Sequence, residues 1–429
     1  MKINIVSRKL IKPSKPTPSH LRTYKISVLD ELNPSMHVIR ILYYQSSTIE
    51  GKIINLEDSL AKILPLFYPL AGRYNKEKHQ VDCNDEGIEY SVAEVDCQLD
   101  QLIGPGVNSE QLNHLLPLEI SAVDEPMDPM LGIQINRFQC GGLAIGVCAS
   151  NRIFDSCSLG IFLTAWANAA TNGGLVISPD FDSPTFFPYE NLAPVNFEVS
   201  RVRDKSIVAK RFVFDKNSIL KLRESLRAQW KSKRPPSRVV VVSAALTQAL
   251  VRADKAKHGI KSRNWFIAQE INVRERTIPP IPKYSCGSWV SISYVEFTSD
   301  EIEQDYQEMV LKMRESTIQA VEDCARIFSD KEFGRWVLVD NYVDVMKKAY
   351  GNPNDKIVWI TDWSKFGDYE LDFGFGKPIW VSLADVPFQD LFILMNTKSN
   401  DGIEAWAFLH ESDMEYFEQD EQLQMLTTK

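Results

Sequence analysis

Cysteine and histidine are scarce in this chain, and neither is grouped. Seven cysteines (Cys83, Cys97, Cys140, Cys148, Cys157, Cys286, Cys324) and six histidines (His20, His37, His79, His114, His258, His410) are spread over 429 residues. An odd cysteine count with no Cys-x-x-Cys spacing argues against a disulfide framework and a zinc site, so no metal is expected and the thiols read as reduced. Cys157 alone lies near a helix start, where a thiol pKa can fall, and it too reads as a small core residue. Positive charge is also in short supply. With 48 basic and 57 acidic residues the formal net charge is −9, which disfavours a nucleic-acid partner and leaves no strong field toward an anionic membrane. No apolar run approaches a spanning helix, and Met1 to Arg8 lack the sustained apolar core of a secretory signal, so the expectation is a cytoplasmic protein with no membrane partner. Internal repeats and low-complexity tracts are absent as well.

What is present is ample apolar content, 44%, in a chain long enough for two domains with separate cores. Leu56, Leu60, Ile63 and Leu64 recur at the spacing of an amphipathic helix, which Pro65 ends. Phe67 to Arg73 then turns into a strand. The apolar run Leu143 to Cys148 reads as another strand, and Leu159, Phe162, Leu163 and Trp166 repeat at helical spacing, so Asn151-Arg152-Ile153-Phe154-Asp155 falls on a strand-to-helix turn. From Leu175 to Pro194 periodicity gives way to prolines, as expected of a surface crossover, and the domain boundary is expected near 200. Beyond it, a strand over 207–214 precedes a helix capped by Asp215 or Asn217. Val239 to Val242 would by themselves suggest a strand, yet Ser237 as a cap and the following Ala244 to Leu250 favour a helix. Strands at 265–273, 390–397 and 404–409 and a long helix over about 300–320 complete an α/β alternation.

Lys12 to Pro18, Tyr68 to Arg73, Asn151 to Asp155, Ile271-Asn272-Val273-Arg274, Asp372-Phe373-Gly374-Phe375-Gly376-Lys377-Pro378 and Asp401 to Trp406 stand in that order along the chain. Together they resemble the BAHD acyl-CoA-dependent acyltransferases of plants, and most the alkaloid-acylating branch of that family. The resemblance implies two similar mixed-sheet α/β domains of the chloramphenicol acetyltransferase-like type, with a channel at their interface. Acyl-CoA is then the co-substrate and a small-molecule alcohol or amine, alkaloid- or terpenoid-like, the acceptor, on a monomer. The domains are expected at 1–200, carrying the first motif, and 201–429, carrying the second, with a segment near 372–395 packing with the first.

The resemblance also implies a histidine as general base at the position that Asn151 occupies here. A carboxamide donates and accepts hydrogen bonds but holds no proton-accepting state near neutrality, so Asn151 can orient a nucleophile or an oxyanion and cannot carry a proton away. By the same resemblance Asp155 is structural and pairs with Arg274, and Asp372, Gly374 and Gly376 support the channel away from the chemistry. Phe375 stands for a tryptophan, and Ser288 for what is often asparagine. Among the histidines His37 is the spare candidate base, against the blander reading of a histidine that satisfies backbone groups. Arg152 could bind a carboxylate or be ion-paired. Lys231, Lys233, Arg234, Ser237 and Arg238 gather before a helix, where cations and backbone donors suit the phosphates of CoA, although such a loop can equally be a solvated linker. Three functions fit this pattern. They are acyl transfer with a non-standard site, a non-acylating elimination, cyclisation or rearrangement without CoA, and ligand binding without turnover.

Overall fold

The computed structural model describes residues 1–45, 50–104, 109–121, 123–171, 173–174, 177–190, 204–226, 230, 234–259 and 263–428. They form two compact units. The first is Met1–Arg203 together with Pro282–Trp289 and Phe366–Pro387, and the second is Asp204–Ile281, Val290–Lys365 and Phe388–Lys429. The residues around 200, where the sequence puts the boundary, lie outside the described ones.

The sheet of the first unit runs Ile3–Ile11, Ile88–Val95, Leu131–Phe138, Leu143–Ser150, His37–Tyr44, Trp380–Ser382. Only Ile88–Val95 and Leu131–Phe138 pair in parallel. His37–Tyr44 and Leu143–Ser150 are buried along their whole length, which is why both are near-continuous apolar runs and not alternating ones. Gly146 interrupts the second run for a steric reason: a Cβ there would meet the Leu115 carbonyl oxygen at 2.0 Å. On the sheet lie the helices Glu50–Ile63 and Ser156–Ala170. They are tied by the Trp166 indole, whose Nε1 donates to the Leu56 carbonyl and the Ser59 hydroxyl, both at 3.1 Å. A small three-stranded sheet, Thr23–Lys25, Gln80–Asp82, Arg73–Asn75, sits beside them in sequence and takes up the strand expected after Gly72.

The second unit has its own six-stranded sheet in the order Val290–Thr298, Asn264–Asn272, Lys356–Asp362, Leu391–Asn396, Ile403–His410, Ile207–Phe214. Its core is the helix Arg238–His258, whose Val240, Val241, Val242, Leu246 and Leu250 pack with Trp265, Ile267, Phe392 and Ala405. Here the valine run resolves as helix. Ser237 caps it by accepting from the Val240 N–H at 3.1 Å, and burial worth about 1.5–3 kcal/mol per side chain outweighs a helix penalty of roughly 0.5 kcal/mol for each β-branched residue.

The long helix expected over 300–320 is two helices, Ser299–Gln304 and Tyr306–Cys324. Asp305 breaks it because its carboxylate takes the Glu308 N–H at 2.8 Å, a cap that holds its own backbone outside helical angles. The helix over 216–225 is capped by Asp215 and not by Asn217.

Candidate active site

The strand Leu143–Ser150 and the strand His37–Tyr44 end together, with Ser150 opposite His37. From there Asn151 to Phe154 turn the chain into the helix Ser156–Ala170. Asp155 holds the corner. Its Oδ1 accepts from the Ser158 N–H at 2.7 Å and the Ser158 hydroxyl at 2.8 Å, and its Oδ2 accepts from the Trp289 N–H at 3.2 Å. Gly287 in turn donates its N–H to the Ser158 oxygen at 3.2 Å. One buried carboxylate therefore caps a helix and fastens the segment Pro282–Trp289 onto it.

Asn151 is gripped by its backbone on both sides. Its N–H donates to the Met36 carbonyl at 2.9 Å, and its carbonyl accepts from the Asn33 side-chain amide at 2.8 Å. The side chain is half-buried, and among the described residues its carboxamide makes no hydrogen bond. A polar group so placed, on a fixed backbone, is able to receive a partner. Asn33 was not singled out in the sequence. Its Oδ1 accepts from the Ser288 hydroxyl at 3.2 Å, while the Ser288 N–H donates to Asp30 Oδ1 at 2.8 Å. Asn151 and Ser288, the two polar positions at which the sequence departs from the expected pattern, are thus joined through one residue. The only local signal for Asn33 was its place before Pro34 in a turn.

Burial is what separates the remaining polar groups of this corner. Asp30 is fully buried, which pushes its carboxyl up to about 6 against the lowering effect of hydrogen bonds from Ser27 and Ser288. Arg152 is not open to a carboxylate ligand: its Nε and Nη2 donate to Asp124 at 3.0 and 2.9 Å, and Nη1 reaches the Asn33 carbonyl at 3.3 Å. Burial raises Asp124, but these bonds and the arginine charge outweigh it and hold the carboxyl low. His37 is 0% exposed, and its Nδ1 lies 3.1 Å from both the Glu119 and the Ile120 carbonyl oxygens, so that nitrogen carries the proton. Nε2 is buried and has no hydrogen-bond partner among the described residues. Loss of solvation lowers the imidazole to about 4, so His37 is neutral at pH 7 and a far weaker base than an ordinary histidine.

A family model described as the transferase family matches residues 1–424. This chain belongs to the BAHD transferase family. Among its relatives, a pelargonidin 3-O-(6-caffeoylglucoside) 5-O-(6-O-malonylglucoside) 4'''-malonyltransferase of Salvia splendens is 37% identical over 99% of both chains. Vinorine synthase of Rauvolfia serpentina is 34% identical over 95% of this chain and 94% of its own. The crystal structure of vinorine synthase superposes with a TM-score of 0.85 at 33% identity, covering 99% of this chain and 98% of that one, which establishes the two-unit mixed-sheet fold. A structure of F. sporotrichioides TRI101 complexed with coenzyme A and T-2 shares that fold, with a TM-score of 0.75 at 19% identity over 95% of this chain and 99% of that one.

The BAHD family's second motif is a self-closed loop here. Asp372 Oδ1 accepts from the Gly374 and Gly376 N–H groups at 2.7 and 3.0 Å, and both glycines have positive φ, 91° and 87°. Phe373 packs against Trp166 and Tyr44, and Phe375 against Tyr44. Tyr44 and His37 are opposite ends of one strand, so this packing lies about 23 Å from His37 at ~3.3 Å per residue. In the second unit the buried Arg274 bonds to Asn272 Oδ1 through its N–H at 3.0 Å and Nη1 at 3.2 Å.

Of the residues considered for CoA, Lys231 and Lys233 lie outside the described residues. Arg234 is exposed, and Ser237 is engaged as the helix cap. Arg238 is engaged within its unit, donating to the Asn400 carbonyl at 2.7 Å and Asn396 Oδ1 at 3.1 Å. None of the seven cysteines is in a disulfide. Among the described residues no group of three or more His, Cys, Asp or Glu could hold a metal ion, and no helix is long and apolar enough to cross a membrane.

Proposed function

We propose that this transferase moves an acyl group from acyl-CoA to an amine or alcohol of alkaloid or terpenoid type, with Asn151 orienting the acceptor where the family's motif carries a histidine. The observation that carries this reading is the Asn151 corner, a backbone fixed from both sides bearing a carboxamide with no hydrogen bond among the described residues. The acceptor lone pair attacks the thioester carbonyl carbon, the C–S bond breaks, and the acceptor proton ends on the departing thiolate. Orientation lowers the barrier by presenting a near-attack geometry, and the amide N–H stabilises charge on the carbonyl oxygen. An acceptor that is itself basic suits a site without a strong base. Arg234 and the first amides of the helix Arg238–His258 are the groups we assign to CoA phosphate. The protein is taken to act as a cytoplasmic monomer.

A second reading is favoured by His37, which is buried and too weakly basic to replace the motif histidine. The same corner would then serve an elimination, cyclisation or rearrangement without CoA, or hold a ligand without turnover. One experiment separates these. The native protein and Asn151→His are incubated with acyl-CoA donors, acetyl-CoA first, and a panel of alkaloids and terpenoid alcohols, while free CoA and product masses are followed together. Acyl transfer predicts CoA release and an added acyl mass with the native protein. CoA release by the histidine variant alone would overturn it, and product formed without CoA would establish the second reading.

A further inference from the structure

We infer that Asn33 is the positioning residue of this site. The inference rests on the proposed role of Asn151. Residues 33–36 form a short strap between the helix Val28–Glu31 and the strand His37–Tyr44, and that strap holds the Asn151 peptide unit from both sides: Met36 takes the N–H and Asn33 supplies the donor for the carbonyl. The two bonds differ in kind. The Met36 bond is main chain to main chain and extends the register that pairs Ser150 with His37, so it is present whatever the side chains are. The Asn33 bond depends on one side chain, and a strand-ending carbonyl is otherwise an orphan acceptor.

The orientation of the Asn33 amide is fixed by its partners. Nδ2 faces the Asn151 carbonyl, which can only accept, and Oδ1 faces the Ser288 hydroxyl, so a flipped amide would set two acceptor oxygens against each other at Asn151. Its backbone is fixed too, by the Arg152 Nη1 bond to its carbonyl and by its own N–H on the Asp30 carbonyl at 3.2 Å. Asp30 holds Ser288 independently through the Ser288 N–H. Three chain segments, at 30–36, 151–158 and 285–289, therefore meet at one carboxamide. Rotation about the 151–152 peptide moves the Asn151 side chain, and Asn33 is the side chain that resists it. Loss of the donor frees the peptide without removing any group that reaches substrate, which is what distinguishes positioning from catalysis.

The test uses the full-length protein in a double-mutant cycle of Asn33→Ala and Asn151→Ala, with Asn33→Asp as the isosteric variant that keeps Oδ1 for Ser288 and replaces the Nδ2–H donor with a carboxylate oxygen facing the Asn151 carbonyl. Asn33→Ala and Asn33→Asp are expected to lower kcat for acyl transfer about tenfold with KM for acyl-CoA changed less than twofold. In the Asn151→Ala background the Asn33→Ala effect is expected to vanish. Additive losses, or a loss confined to KM, would overturn the role. If the native protein releases no CoA with any acceptor, the proposed reaction has failed and the positioning role is decided by hydrogen exchange across 150–153. Exchange at least ~10-fold faster in Asn33→Asp, with the helix Ser156–Ala170 unchanged, supports it, and unchanged exchange refutes it.

Discussion

Two aspartates, one in each unit, do the same local job. Asp155 and Asp215 both stand three residues before a serine at the start of a helix, with φ/ψ of −73°/174° and −72°/175°, and both accept from that serine's N–H at 2.7 Å. Around Asp215 the partners among the described residues all belong to its own helix start: the side chain is only partly buried, and its carboxyl is held low chiefly by the Ser218 N–H. Around Asp155 the same cap is buried at 7% exposure, and its second oxygen takes the Trp289 N–H from a segment more than a hundred residues away. The local pattern specifies a helix start in both cases. What turns one of them into the frame of a candidate site is burial plus a distant donor, neither of which the pattern contains.

That contrast can be broken directly. Asp155→Ala should cost about 3 kcal/mol, a cap of about 1 kcal/mol plus about 2 kcal/mol for a buried Trp289 N–H left without its acceptor, whereas Asp215→Ala should cost only the cap. Urea unfolding of both variants decides it, and equal losses would mean that the Trp289 contact contributes nothing.

A second pair sharpens the comparison. Asp30 in the first unit and Asp390 in the second are both pushed up to about 6, chiefly by burial. Asp30 is opposed by hydrogen-bond donors, and Asp390 by the charges of Lys356 and Lys257 with Asp413 and Asp254 acting the other way. A raised carboxyl stabilises the fold below its unfolded pKa of about 3.9 and loses that contribution as pH rises through about 6. Asp390 has a positive φ of 57°, which asparagine tolerates. Asp390→Asn should therefore raise stability at pH 7.5 relative to pH 4.5, by on the order of 2 kcal/mol, in thermal or urea unfolding. A gain that does not depend on pH would rule out ionisation as its cause.

The smallest effects concern the two arginines before the helix Arg238–His258. Arg238→Met should lower stability by about 1 kcal/mol through the Asn400 and Asn396 bonds. Arg234→Ala should leave melting unchanged and raise KM for acyl-CoA by a few-fold. The reverse pattern would reassign Arg238 to the phosphates.

Much of this was legible without coordinates. The strand over 207–214, the Pro65 helix stop, the Ser237 cap and the strand-to-helix turn at 151–155 are local, set by a few adjacent residues, and the structure has all four. The long helix failed because Asp305, an unremarked residue within a helical period, took its own cap. The Asn33 bonds and the Asp30–Ser288 bond were invisible for a different reason: they join positions 118, 255 and 258 residues apart, and no spacing in the sequence encodes that. For His37 the structure has the blander of the two sequence readings, a ring nitrogen on the Glu119 and Ile120 carbonyls, while the burial that lowers it to about 4 leaves no sign in a histidine that opens a strand.

The interleaving of the chain has a consequence for how the protein is made. Trp380–Ser382 forms the edge of the first unit's sheet beside His37–Tyr44, and Arg40 pairs with Asp368 across 328 residues. During synthesis the first unit emerges early, yet its sheet stays open on that side, and its buried arginine without the Asp368 carboxylate, until two of the second unit's three segments have followed. Its N-terminal part must wait on the ribosome with an apolar strand edge exposed, a state that invites chaperone binding and mispairing.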